Sequence, residues 1–169
     1  MQLHPSIVIN LGTCGGILGQ IDRFETVLAD RTVVYDITER MGDSMEAIRD
    51  YSTTIDLDWL GSRPLPSPVR RSVLGSADRD LAPADIPLLR RLYQAVAVDW
   101  ESGAIARVAS RNETRVLILR GVSDLVGEET VSETYGKSEI FADSARTIMR
   151  NLFDVLPMWI DTALPDAPR

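Results

Sequence analysis

At 169 residues the chain has the length of one domain, and its 44% hydrophobic content is enough to bury a real core. Twenty-five acidic against 18 basic residues leave a formal charge of −7, which argues against nucleic acid or an anionic membrane as the main partner. With one cysteine (Cys14) and one histidine (His4), an internal disulfide is excluded, and a His-based metal site or a Ser-His-Asp triad nearly so.

Carboxylates must therefore carry any acid–base work. No apolar run reaches membrane-spanning length and no basic-then-apolar leader opens the chain, so the expected location is a reducing cytoplasm. Met1–Pro5 is a stub. Ile7-Val8-Ile9 predicts the first strand, and Gly12-Thr13-Cys14-Gly15-Gly16 predicts a turn whose backbone amides face a ligand, or simply a tight connection. It is neither G-x-G-x-x-G nor a P-loop. Within 26–37, Val27-Leu28 and Val33-Val34-Tyr35 predict two strands or one bent strand, split at Asp30-Arg31. From Glu39 to Pro68, charges, Ser/Thr and the closely spaced Pro64, Pro66 and Pro68 predict a loop-rich excursion. Val69 to Leu74 predicts a strand. After Gly75–Leu81, Pro83-Ala84-Asp85 opens a helix through Leu88, Leu89, Leu92 and Tyr93.

The richest stretch runs from Ala97 to Gly127. An acidic lead-in (Asp99, Trp100, Glu101) precedes a helix with Ala104, Ile105, Val108 and Ala109 on one face. Val116-Leu117-Ile118-Leu119 then predicts a strand covered on both faces, with Arg120, Ser123 and Asp124 at its far end. Carboxyl ends of strands are where open α/β sheets bind ligands, so chemistry is expected there. Glu128 to Lys137 predicts a mobile polar loop. Ile140 to Leu156 predicts an amphipathic helix with Phe141, Ala145, Ile148, Met149, Leu152, Phe153 and Leu156 on its apolar side. The tail from Thr162 is expected to fray. Strand–helix alternation predicts a single α/β domain over residues 1–161.

Four stretches in order, IVINLGTCGGI (7–17), VLGSADRDL (73–81), VDWESGAIA (98–106) and LRGVSD (119–124), resemble the nucleoside phosphorylase and nucleosidase superfamily. The branch they resemble most is the methylthioadenosine/S-adenosylhomocysteine nucleosidases. The resemblance implies a mixed central sheet flanked by helices and cleavage of a purine nucleoside, with no metal or organic cofactor. It also implies a homo-oligomer, most simply a dimer. Glu101 matches the glutamate that grips the ribose hydroxyls, a role suited to a carboxylate accepting two O–H bonds. Trp100 stands where the family usually has a methionine against the sugar. Asp124 matches the aspartate that helps protonate the leaving base, oriented by Ser123. Thr13 and Arg120 match the hydroxyl and guanidinium near the attacking water, beside the backbone of Gly12. Leu81 and Asp80 fall at the base pocket, and Tyr135 near an aromatic that closes over the 5′ group. Taken singly, Asp124 and Ser123 also read as helix caps, and Glu101 with Arg120 as an internal ion pair.

Two departures from the family pattern bear on mechanism. Ile9-Asn10-Leu11 holds no cation where the phosphorylases place a phosphate-gripping arginine, so water is the expected nucleophile and phosphorolysis the alternative. The family's water-activating acid lies ahead of this strand, where the chain has six residues and no acid, so the chain reads as N-terminally shortened. Glu25, Asp36 and Glu39 are the candidate substitutes. Weak turnover, or a nucleoside-binding remnant without turnover, follows if none of them serves.

Overall fold

The computed structural model describes residues 5–132 and 134–164. His4 and the terminal prolines, Pro165 and Pro168, lie outside that range. Strand β1 (Ile7–Ile17) is followed by β2 (Thr26–Val34), α1 (Ser44–Tyr51), the two-residue β3 (Thr53–Thr54) and β4 (Arg70–Ser76). A helical segment follows, tightening and widening along its length: a 3₁₀ turn at Pro83–Asp85, α2 (Ile86–Leu88) and a π turn at Leu89–Tyr93. The chain then forms β5 (Ala95–Asp99), α3 (Ser102–Arg111), β6 (Arg115–Val126) and α4 (Ser138–Ala163). The strands order as β3-β2-β4-β5-β1-β6, and an antiparallel pairing of Thr26–Leu28 with Leu119–Gly121 closes β2 onto β6. Parallel β2–β4, β4–β5 and β1–β6 pairs alternate with antiparallel β1–β5 and β2–β6 pairs, so the sheet is mixed, as the resemblance implied.

The expected Gly12–Gly16 turn is instead continuous strand. Its glycines serve close approach rather than reversal. A Cβ on Gly12 would lie 1.9 Å from Arg120 Nη1, and one on Gly16 would lie 2.7 Å from Leu125 Cδ2. Residues 26–37 contribute one strand, irregular between Ala29 and Arg31. Strand β6 runs well past Leu119, and Arg120, Ser123 and Asp124 are inside it rather than beyond it. Between Cys14 and Gly15 the pairing jumps from Val122 to Asp124, which leaves Ser123 as the extra residue of a bulge. Neighbouring strand residues ordinarily face opposite sides, and a bulge re-aims them.

The Glu39–Pro68 excursion holds α1, which the sequence reading passed over. Asp43 caps it by accepting from Met45 N at 2.8 Å, and Glu46 stands in its first turn. In α3 the expected face is only partly correct. Ser102, Gly103, Ala106 and Ala109 are buried, whereas Ala104 and Val108 are exposed. Close packing decides it: a Cβ on Gly103 would meet Val34 at 2.6 Å and Ser76 at 2.9 Å, so the helix lays its smallest residues on the sheet. Helix α4 continues through Pro157 to Ala163, past the expected stop at Leu156 and through the start of the expected frayed tail. An interior proline costs about 3 kcal/mol. Full burial of Trp159, whose indole N–H donates to Ser67 Oγ at 3.2 Å, opposes that cost and holds the last turns in place.

Candidate active site

A cleft of about 900 Å³ opens where β1, β5 and β6 meet the 77–82 and 127–137 segments and the first turns of α4. Every residue singled out by resemblance lines it: Gly12 and Thr13 from β1, Asp80 and Leu81, Trp100 and Glu101 at the start of α3, Arg120, Ser123 and Asp124 from β6, and Tyr135. The three candidate water-activating acids do not. Glu25 accepts from Asp22 N and Glu39 from Met41 N within their own turns, while Asp36 accepts from Asp78 N and so ties the end of β2 to the segment after β4. Among the described residues, the carboxylates lining the cleft are Asp80, Asp99, Glu101 and Asp124.

One group of cleft side chains is built around Arg120. Its side chain lies flat across Gly12, its partner in register on β1. Nε donates to Ser102 Oγ at 3.1 Å and lies 2.8 Å from Asp99 Oδ2 as an ion pair, and Nη2 donates to Glu101 Oε2 at 3.1 Å. Arg120 and Asp99 are buried, while the Glu101 side chain is 58% exposed and reaches into the open cleft. Glu101 occupies the cap position of α3 without capping it, so its carboxylate is left to Arg120 and the cleft. The ion-pair reading of Glu101 and Arg120 is thus correct as geometry and compatible with a ligand role for the exposed carboxylate. Burial pushes the Asp99 carboxyl above its ordinary value, with the Arg120 guanidinium pulling it back.

A second group is built around Asp124, which receives hydroxyl donors on both oxygens. Ser123 Oγ lies 2.5 Å from Oδ1, with the Cys14 carbonyl as its alternative acceptor at 3.1 Å, and Ser132 Oγ donates to Oδ2. Ser132 in turn receives Thr134, through its backbone N–H at 3.1 Å and a hydroxyl contact of 2.7 Å. Neither Asp124 nor Ser123 caps a helix, since both lie within β6. Ser132 and Thr134 escaped sequence reasoning because serines and threonines in a polar loop carry no signal of their own, and the expected loop proves to bury both.

Tyr135 spans the cleft, donating to the Leu81 carbonyl at 2.7 Å and so joining the 127–137 segment to the 77–82 segment. Burial, then the carboxylates of Asp80, Asp124 and Asp85, push its phenol up to about 12. Phe141, Ala145 and Met149, assigned by the sequence to the apolar side of α4, line the cleft, with Phe141 42% exposed. Cys14 also lines it; burial raises its thiol far above the ordinary range, so it stays protonated and inert. Among the described residues no three His, Cys, Asp or Glu side chains gather as metal ligands would, and no helix is long and apolar enough to cross a membrane.

Comparison with known proteins fits this geometry. A 5′-methylthioadenosine/S-adenosylhomocysteine nucleosidase from Marinomonas sp. is 24% identical over 162 residues, covering 89% of this chain and 70% of its own length. The apo 5′-methylthioadenosine nucleosidase of Arabidopsis thaliana superposes with a TM-score of 0.74 at 20% identity, over 98% of this chain and 64% of that one. The Helicobacter pylori 5′-methylthioadenosine/S-adenosylhomocysteine nucleosidase with butyl-thio-DADMe-Immucillin-A superposes with a TM-score of 0.69 at 16% identity, over 90% of this chain and 68% of that one. The chain thus spans about two thirds of the length of these relatives. Residues 1–156 match the phosphorylase superfamily, and the chain belongs to that family.

Proposed function

We propose that this chain hydrolyses the N-glycosidic bond of a purine nucleoside of the 5′-methylthioadenosine type. The observation that carries the reading is the delivery of Glu101 and Asp124, from different elements, to one cleft, each held by hydrogen bonds. Glu101 accepts the ribose hydroxyls. Asp124, aligned by Ser123 and Ser132, serves the base nitrogen that takes up a proton as the glycosidic electron pair departs with the base. Water supplies the oxygen that bonds to the anomeric carbon, beside Thr13, and gives up the proton that balances the one taken up by the departing base. Phe141, Ala145 and Met149 offer an apolar wall to the remaining part of the nucleoside.

Hydrolysis is favoured over phosphorolysis by the disposition of charge. Asn10 takes the place of the clamping cation and donates to Ser102 Oγ at 3.3 Å, and Arg120 is already engaged by Asp99 and Glu101. Asp99, Glu101 and Asp124 are likewise engaged, and Asp80 falls by resemblance at the base pocket, so no cleft carboxylate is placed to deprotonate water and turnover by the 169-residue chain is slow relative to its affinity. General-base catalysis typically contributes about 10²–10⁴-fold. The functional unit is a homodimer, supported by Leu18, Phe24, Trp100, Val131 and Phe141, each more than 40% exposed. The deciding experiment measures adenine release from methylthioadenosine with and without inorganic phosphate. Release indifferent to phosphate is expected; strict dependence, with sugar 1-phosphate as product, would overturn the reading.

A further inference from the structure

Asp99 is the most heavily bonded side chain beside the cleft, and no role in a ligand site has been given to it. Its Oδ2 receives the Ser102 hydroxyl and forms an ion pair with the Arg120 guanidinium, whose Nε lies 2.8 Å away. Its Oδ1 receives Ser76 Oγ at 3.1 Å and Ser102 N at 3.2 Å. Ser76 Oγ is itself fixed by Gly103 N at 3.1 Å, and Ser102 Oγ by Asn10 Nδ2 at 3.3 Å. The cage thereby draws together the ends of β4 and β5, the first turn of α3, and β1. Three hydrogen bonds and an ion pair surround the two oxygens, so Asp99 is engaged on both and is not free to activate water.

We propose that Asp99 is the positioning residue of this site, fixing the Arg120 guanidinium so that its Nη2 presents Glu101 to the ribose. The proposal rests on the nucleoside-cleaving reading for its ligand but not for its geometry. Arg120 has a long, flexible stem, and nothing about an arginine on a strand dictates where its fork points. The Gly12 surface beneath it restricts one side, and Asp99 restricts the in-plane rotation by its ion pair beside Nε, the atom nearest the stem, and by holding Ser102 Oγ, which accepts the Nε–H. With Nε held, Nη2 falls beside Glu101. Without it, the guanidinium swings, and Glu101, mostly exposed, loses its only described tether. Side chains that hold a binding group in its productive orientation ordinarily govern affinity through that group, not by touching the ligand.

The test compares Asp99→Asn, Ser76→Ala and Leu60→Ala. Leu60 is buried in the core and does not line the cleft, so its variant controls for general destabilisation. Methylthioadenosine and adenine affinities are measured by calorimetry on the folded fraction of each. Asp99→Asn is expected to weaken methylthioadenosine at least tenfold with adenine changed less than threefold, and Ser76→Ala to give a smaller loss of the same kind. Leu60→Ala should lower the melting temperature and leave both affinities unchanged. In parallel, the Arg120 Nε–H cross-peak in a ¹⁵N spectrum, protected from exchange in the unaltered protein, should lose its protection in Asp99→Asn and keep it in Leu60→Ala. If Asp99→Asn fails to fold, Ser76→Ala carries the comparison by the same two readings. Wild-type affinity in the variants of the cage, or a retained protected cross-peak, would overturn the proposal. If the unaltered protein binds neither compound, the nucleoside reading fails on its own, and the cross-peak still judges Asp99.

Discussion

Replacing Glu101 by glutamine separates a ribose-binding carboxylate from a purely structural ion pair, because the two readings place its energy in different measurements. Its side chain is 58% exposed, and its bond to Arg120 Nη2 is 3.1 Å long. An exposed ion pair contributes about 0–1 kcal/mol to stability. Arg120 keeps Asp99 at 2.8 Å, so the buried guanidinium is not stranded when Glu101 is neutralised. For a domain of this size about 1 kcal/mol shifts Tm by roughly 2–4 °C. The fall in Tm for Glu101→Gln should therefore stay under about 4 °C. A hydrogen bond from a ligand hydroxyl to a carboxylate is worth about 1.5–3 kcal/mol, a loss of roughly tenfold or more in affinity. Calorimetry with methylthioadenosine should show that loss, and with adenine, which has no ribose, almost none. Equal losses for the two compounds would refute the ribose role, as would a Tm drop well beyond 4 °C with affinity intact.

Gly12→Ala places a methyl 1.9 Å from Arg120 Nη1, so the guanidinium must move; nucleoside affinity should fall at least tenfold by calorimetry, while circular dichroism shows β1 retained. Ser132→Ala strips Asp124 Oδ2 of its hydroxyl donor, and single-turnover cleavage should slow by about tenfold, more than binding weakens. The phenol of Tyr135 is raised from 10.0 to about 12, so the folded state holds a proton that the unfolded state releases first. Its contribution to stability is therefore complete below pH 10 and lost as pH rises through about 12; Tyr135→Phe should remove one tyrosine ionisation near pH 12 and flatten the stability profile there. Light scattering at micromolar concentration should return twice the monomer mass, and a monodisperse monomer would contradict the dimer.

How far the site could be read from the chain differs between its parts. Asp124 and Glu101 were legible as cleft residues because each sits in a short run that carries the family resemblance, LRGVSD and VDWESGAIA. The cage around Asp99 was not, because Ser76, Ser102 and Asn10 converge from three elements by virtue of the register β1–β5–β4, which local pattern does not encode. Glycine misled in a similar way. Gly12, Gly15 and Gly16 carry the signature of a turn, and only the side chains of Arg120 and Leu125 pressed against Gly12 and Gly16 show why a strand needs them. Asp43 followed by Glu46 was an available helix-start signal in the Glu39–Pro68 excursion, outweighed there by the prolines further on. In α3 the larger apolar residues suggested the buried face, whereas the sheet accepts only the small ones.

The closure of β2 onto β6 also bears on how the molecule comes into being. Residues 26–28 meet 119–121, and β1 finds both its neighbours more than eighty residues downstream. Pairings so remote in sequence require long loops to close before any contact stabilises them, which places the domain among the slower folders of its size. The cleft inherits that history. Its floor is β1 laid between β5 and β6, so no half-assembled chain holds Thr13, Glu101 and Asp124 together. Ligand added during refolding should therefore leave the folding rate unchanged and slow only unfolding.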